Sequence, residues 1–142
     1  MTFEKKTKEL LKNRIQYQKF IEIAENDINE MEGRIVILKQ RSHILGIEGL
    51  SILERQEWGY HYELTYRIKF IRDRLALIDR GLSVLTENEK GLLLAHVDGG
   101  AAGLLEFAEQ VLGIERSAAY RDVKIALKKA TLSIFGLLGS CD

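Results

Sequence analysis

Along residues 10–38 the apolar side chains return alternately every fourth and every third position. The row is Leu10, Tyr17, Ile21, Ala24, Ile28, Met31, Ile35 and Leu38, with Arg14 its one polar member. That spacing keeps one stripe of a helix turned toward a neighbour, so it predicts the seam of a coiled coil or of a helical hairpin. The residues between, among them Lys12, Glu25, Asp27, Glu30 and Glu32, are mostly polar, as a solvated flank should be. The same alternation returns over His61, Leu64, Ile68, Ile71, Leu75, Ile78, Leu82 and Leu85. Between the two rows lies HILGIEGLSIL (43–53), whose Gly46 and Gly49 mark a connector with room for a short helix. Two long amphipathic helices on a short connector fold back most simply as an antiparallel hairpin. Spacing alone equally allows each stripe to pair with a second subunit. Trp58, Tyr60 and Tyr62 precede the second row and are expected to cover the hairpin's end as part of its core.

The last third of the chain changes pattern. Thr86-Glu87-Asn88-Glu89 has the form of a capping box, so a helix starts there and runs through Leu92, Leu93 and His96. The glycine-rich DGGAAG (98–103) is expected to end it as a flexible turn. A shorter helix follows from about Leu104 to Leu112 and stops at Gly113. Glu115 or Ser117 opens a final long helix that continues through Lys129 toward Phe135. On that helix Ala119, Val123, Ala126 and Ala130 fall within about 60° of one another. Ser117, Arg121, Lys124 and Lys128 form an equally tight group on the opposite face.

One side of this helix is suited to close packing and the other to an anion. Lysine and arginine neutralise phosphates, and an arginine can donate two parallel hydrogen bonds to guanine. Ser117 and Ala118 at the helix start are small enough to let bases come close, and the Ala118 methyl suits a thymine methyl. Arg116 and Tyr120 flank the face, and Lys90 and Lys129 extend it at the edges as phosphate contacts. A basic stripe is commonly no more than a solvated face. The order of elements raises this one above that: short helix, glycine turn, striped helix.

Composition sharpens some of this and excludes other readings. The 142 residues include no proline, which favours helix throughout. Lys and Arg number 21 and Asp and Glu 21, so a nucleic-acid reading must rest on local clustering, since no overall basicity supports it. Cys141 is the only cysteine, so no disulfide framework is possible. MTFEKKTKELLKNR lacks the apolar core of a signal peptide, and no run is long enough to span a membrane, so a cytoplasmic protein is expected. His43, His61 and His96 are far apart, without cysteine or carboxylate partners at ligand spacing. DGGAAG lacks the Gly-Lys-Ser/Thr end of a phosphate loop. Ser117 lacks a His and Asp pattern that would activate it. No catalytic residue, metal or cofactor is therefore expected.

With those residues in view, the C-terminal part resembles the promoter-reading domain of bacterial sigma factors, and in particular the small phage-type regulators of the ArpU and RinA group. Leu85-Thr86-Glu87 with Glu89 resembles the opening of that domain, and Phe107-Ala108-Glu109 its supporting helix. Leu112-Gly113-Ile114 resembles its turn, Ser117-Ala118-Ala119-Tyr120-Arg121 the entry to its recognition helix, and Ala126-Leu127-Lys128-Lys129 that helix's end. Phe135-Gly136 is similar to the group's aromatic-glycine ending. The likeness covers roughly Leu85 to Gly136. Gly113 stands five positions after Ala108, one more than in the motif, so the supporting helix is expected to be one residue longer.

The sequence thus predicts an all-α protein, with a helical hairpin over residues 1–82 and a helix-turn-helix over 83–142. The resemblance implies a sequence-specific transcriptional regulator, an activator of phage or mobile-element genes. Its DNA-binding residues would be Arg116, Ser117, Ala118, Tyr120, Arg121, Lys124 and Lys128. Its partners would be double-stranded DNA, RNA polymerase and a second copy joined through the N-terminal helices, with no membrane. Two alternatives stand beside it: an oligomeric packaging protein resembling a small terminase subunit, and a protein-interaction module whose basic stripe meets an acidic partner.

Overall fold

A computed structural model describes residues 2–45 and 48–136, with 42–45 and 48–51 described by their backbone alone. Every regular element among them is helical: α1 (Phe3–Lys12), α2 (Arg14–Leu45), α3 (Glu48–Ser83), α4 (Glu87–Phe107), a π-helical turn (Ala108–Leu112) and α5 (Arg116–Phe135). The chain is all-α, as the periodicity and the missing proline predict. Gly46 of the expected connector, the His43 side chain and Cys141 lie outside the described residues, whereas Gly49 falls within α3. No helix among the described residues is long and apolar enough to cross a membrane.

The chain divides into two units, one of residues 16–73 and one joining residues 1–15 to those from 74 onward. In the first, α2 and α3 run antiparallel. Arg72 pairs with Glu25, His61 Nε2 lies 3.0 Å from Glu32 Oε1, and Arg34 lies 3.4 Å from Glu57, so numbers on α3 fall as those on α2 rise. Tyr17, Ile21, Ala24, Ile28, Met31, Ile35 and Leu38 are all buried or half-buried, as are His61, Leu64, Ile68 and Ile71. The three-four stripes therefore face each other within one chain. These polar contacts sit at the rim of the helix pair, where each is worth at most about 1 kcal/mol. The aromatic residues do not cover its end. Tyr60 and Tyr62 are 59% and 66% exposed, because they fall off the stripe that His61 and Leu64 define; only Trp58 is half-buried.

The second unit takes in what looked like the first turns of the seam. Asn13 separates α1 from α2, so the helix breaks where the apolar row does. Arg14 donates to the Leu11 carbonyl at 2.8 Å and makes two bonds, 2.8 and 2.6 Å, to the Asp98 carboxylate. Those bonds hold the Asp98 carboxyl below the usual carboxylate range. The polar member of the row thus serves a carboxylate on α4.

Deeper in the same unit, Thr7 of α1 and Thr131 of α5 are fully buried with their hydroxyls 2.9 Å apart. Thr7 also reaches the Phe3 carbonyl at 3.0 Å and Thr131 the Leu127 carbonyl at 2.7 Å. Two hydroxyl protons serve these three contacts, so the pair acts as one unit. Thr7→Val and Thr131→Val should each lower stability by about 1 kcal/mol, and the double variant by little more than either. Urea unfolding of the three variants checks this, and strictly additive losses would show that the hydroxyls do not interact. The end of α3 is fastened to the end of α5 by reciprocal bonds. Arg80 donates to the Ile134 carbonyl at 2.7 Å and Ser133 donates to the Arg80 carbonyl at 2.9 Å.

α4 opens with the capping box the sequence predicts: Glu89 N donates to Thr86 Oγ1 at 3.2 Å and Thr86 N to Glu89 Oε1 at 3.1 Å. Its first segment ends inside DGGAAG, as expected, at Gly100, which leaves helical geometry at φ 64° and ψ −153°. A second helical segment begins at once through Ala101 and Ala102, both good helix formers, a few residues before the expected start near Leu104. The expected flexible link is a one-residue kink. Across it the two halves of α4 press together, since a Cβ on Gly103 would lie 2.7 Å from the Ala95 carbonyl oxygen.

Candidate nucleic-acid interface

The site is built on a helix, a three-residue turn and a second helix. Leu92 and Leu104 of α4, Ala108 of the π-helical turn, and Ala119 and Val123 of α5 form one buried cluster. Phe107, Leu112, Ile114 and Tyr120 pack against it. Between Ala108 and Gly113 the chain makes a π-helical turn, which spends one residue more per hydrogen-bonded ring than an α-helix does. Ala108 thereby stays in the core while Gly113 still makes the turn. Gly113 adopts the left-handed conformation, φ 64° and ψ 32°, and both its own N–H and that of Ile114 close onto the Ala108 carbonyl.

α5 then starts from Glu115, the first of the two openings the sequence allows, in extended geometry (φ −70°, ψ 156°). Its carboxylate makes no capping hydrogen bond, but a negative charge at a helix N-terminus is favourable. Ala119, Val123, Ala126, Leu127 and Ala130 are buried along one side. Ser117, Arg121, Lys124 and Lys128 are exposed along the other. Small side chains on the inner face let α5 lie close to α4, which leaves the four polar residues together on a single outward face.

The flanking candidates fare differently. The Arg116 guanidinium lies 5.8 Å from the centre of the Tyr120 ring, at the outer limit of a cation–π contact. Tyr120 is half-buried on the core cluster, so its ring anchors the helix as it props Arg116. Ala118 is half-buried, which leaves little of its methyl for an incoming base. Arg121 is 70% exposed and reaches Asp122 only at 3.5 Å, a contact too long to immobilise it.

Lys129, expected as a phosphate contact, is occupied: its Nζ lies 2.9 Å from Glu89 Oε2. Glu89 therefore serves twice, capping α4 with one oxygen and tying down α5 with the other. Lys129 and the Thr86 backbone both hold its carboxyl below the usual range. Lys90 is half-buried. Sequence reading overlooked a set of cations that the fold brings into this unit, namely the exposed Lys5, Lys6, Lys8 and Lys12 of α1. Their signal was Thr7, a small hydroxyl among lysines on a helix otherwise read as part of the seam.

Among the described residues, no group of three or more His, Cys, Asp or Glu is placed to hold a metal ion. No family model, curated protein or solved structure matches the chain.

Proposed function

We propose that the chain is a sequence-specific DNA-binding transcriptional regulator that reads double-stranded DNA with α5, a binding protein rather than an enzyme. The observation that carries this is the division of α5 into a buried small-residue face and an exposed face of Ser117, Arg121, Lys124 and Lys128, after a glycine turn and a supporting helix. The resemblance to phage-type regulators with a sigma-like domain extends the reading. The protein acts in the cytoplasm, activates phage or mobile-element genes, touches RNA polymerase near the promoter and pairs with a second copy through its long helices.

Two substitutions separate base reading from phosphate binding. Arg121 lies in the second turn of α5, where side chains reach base edges. Arg121→Ala should weaken binding by roughly 1–3 kcal/mol and relax preference at one base pair. Lys124 stands almost one turn further on, nearer the backbone. Lys124→Ala should weaken all duplexes alike and lower the salt slope by about one. Host DNA captured with the protein and sequenced supplies the duplex, and anisotropy titrations against salt on that duplex and on a scrambled one measure both effects. If neither variant changes affinity for any duplex, the basic face is only solvated and the reading fails.

A further inference from the structure

We propose that α3 carries a self-association surface distinct from the stripe that faces α2. It is the ridge Trp58, Tyr62, Tyr66 and Phe70, closed about a two-fold axis on the same ridge of a second copy. This deepens the reading above, which pairs two copies through the long helices, by naming a face that the intrachain contact leaves outside.

The ridge follows the four-residue row of the helix, and three of its four residues are mostly exposed. Tyr62, Tyr66 and Phe70 are 66%, 72% and 51% exposed, and Trp58 stacks on Tyr62 at 5.7 Å. Together the three exposed rings leave roughly 400 Å² of surface per chain. Two copies would then contribute roughly 800 Å² from these rings alone, most of the ~1,000 Å² a specific interface needs before Trp58 and the flanks are added. Phe20 of α2 joins Tyr66, Phe70 and Ile71 around an apolar groove of about 330 Å³, which gives an incoming ring a seat.

Gly59 lies in the same face. It sits inside a helix, where glycine costs about 1 kcal/mol relative to alanine, and beyond its own helix backbone nothing among the described residues comes within 4 Å of where its Cβ would be. A second helix crossing the ridge would use that space.

Charge selects the arrangement. In a two-fold pairing, residue i meets j and j meets i. The antiparallel register that sets Tyr62 against the second copy's Tyr66 also sets Trp58 against Phe70 and Arg55 against Asp73. Arg55 and Asp73 are about five turns apart, so they lie in line with the middle of the ridge and place an opposite-charge pair at each end of the contact. The paired α2 and α3 also need a second layer. Ala24, Ile35 and Ile68 are the only buried apolar side chains among the described residues of this unit, a thin core for two helices of this length.

Multi-angle light scattering on the full chain should give twice the 16.2 kDa chain mass. Trp58 is the sole tryptophan, so its emission should shift red as dilution opens the ridge. Tyr66→Glu should halve the mass without altering the far-ultraviolet dichroism, since the position is exposed. Arg55→Glu should raise the dimer dissociation constant about tenfold, the effect of two weak ion pairs lost together, and adding Asp73→Arg should restore it. A chain that is monomeric at every concentration would overturn the proposal, as would a dimer indifferent to Tyr66→Glu or a closed ring of more copies. These substitutions leave α5 untouched, so lost DNA binding in an intact dimer would count against the DNA reading alone.

Discussion

Ala126→Glu should unfold the unit that contains α5, while Lys128→Glu, two residues along, should leave it folded. Ala126 is wholly buried on the face of α5 turned to the core, where a carboxylate would find no solvent and too little volume. An unpaired buried charge of this kind costs roughly 3–5 kcal/mol. A domain of this size has only about 5–15 kcal/mol to lose, so much of the population would open near ambient temperature. Lys128 is exposed on the opposite face, and its reversal should change stability by no more than about 0.5 kcal/mol. On the proposed DNA-binding reading its effect should fall on DNA affinity, since a phosphate would meet a carboxylate in place of an ammonium. Dichroism melts and anisotropy titrations of the pair measure the two effects separately. If Lys128→Glu melts as early as Ala126→Glu, the outward face of α5 is holding the fold together and is unavailable to a ligand.

Burial in this chain follows the helical period closely, which is why the sequence says so much about it. Each member of the seam from Tyr17 to Leu38 turns inward, and so does the row from His61 to Leu85. A long helix presents one stripe to its neighbour, and apolar residues gather on it whatever that neighbour is. The stripe could not reveal its own interruption. Leu10, Arg14 and Tyr17 stay in phase across Asn13, so one helix and two helices have the same pattern there. What moves α1 to the other unit is the Thr7–Thr131 pair and the Arg14–Asp98 pair, which join residues 124 and 84 positions apart. Contacts of that range have no local signature. The same limit applies at the candidate interface. The two faces of α5 were legible because both are set by the spacing of one helix. The capture of Lys129 by Glu89 was not, because it depends on how α4 and α5 meet, across 40 residues. Tyr60 and Tyr62 show the converse error: their ring type suggested core, while their phase relative to His61 and Leu64 already placed them outside.

The glycines of DGGAAG should give three different results under substitution, which separates a flexible link from a tight crossing. Gly99 is helical with open space where a Cβ would stand, so Gly99→Ala should gain up to about 1 kcal/mol from helix propensity. Gly100 holds the kink at φ 64° and ψ −153°, a region essentially closed to L side chains, so Gly100→Ala should cost roughly 1–3 kcal/mol despite equally open space. Gly103 is the decisive position. Its Cβ would stand 2.7 Å from the Ala95 carbonyl oxygen, and a backbone atom held in a helix cannot swing aside as a side-chain tip can. The halves of α4 would have to separate, pulling Leu104 away from Leu92 in the cluster that supports α5. Gly103→Ala should therefore cost about 2 kcal/mol, and Gly103→Val about 3 kcal/mol or more as its branches enter the same gap. Because α5 leans on that cluster, the proposed DNA-binding reading expects the Gly103 variants to bind DNA less tightly at temperatures where they remain folded, and Gly99→Ala to bind as the parent does. Denaturant midpoints for the four variants give the order. Equal, small effects at all three positions would mean that DGGAAG is the slack connector its composition suggests and that the close crossing of α4 on itself is not present in solution.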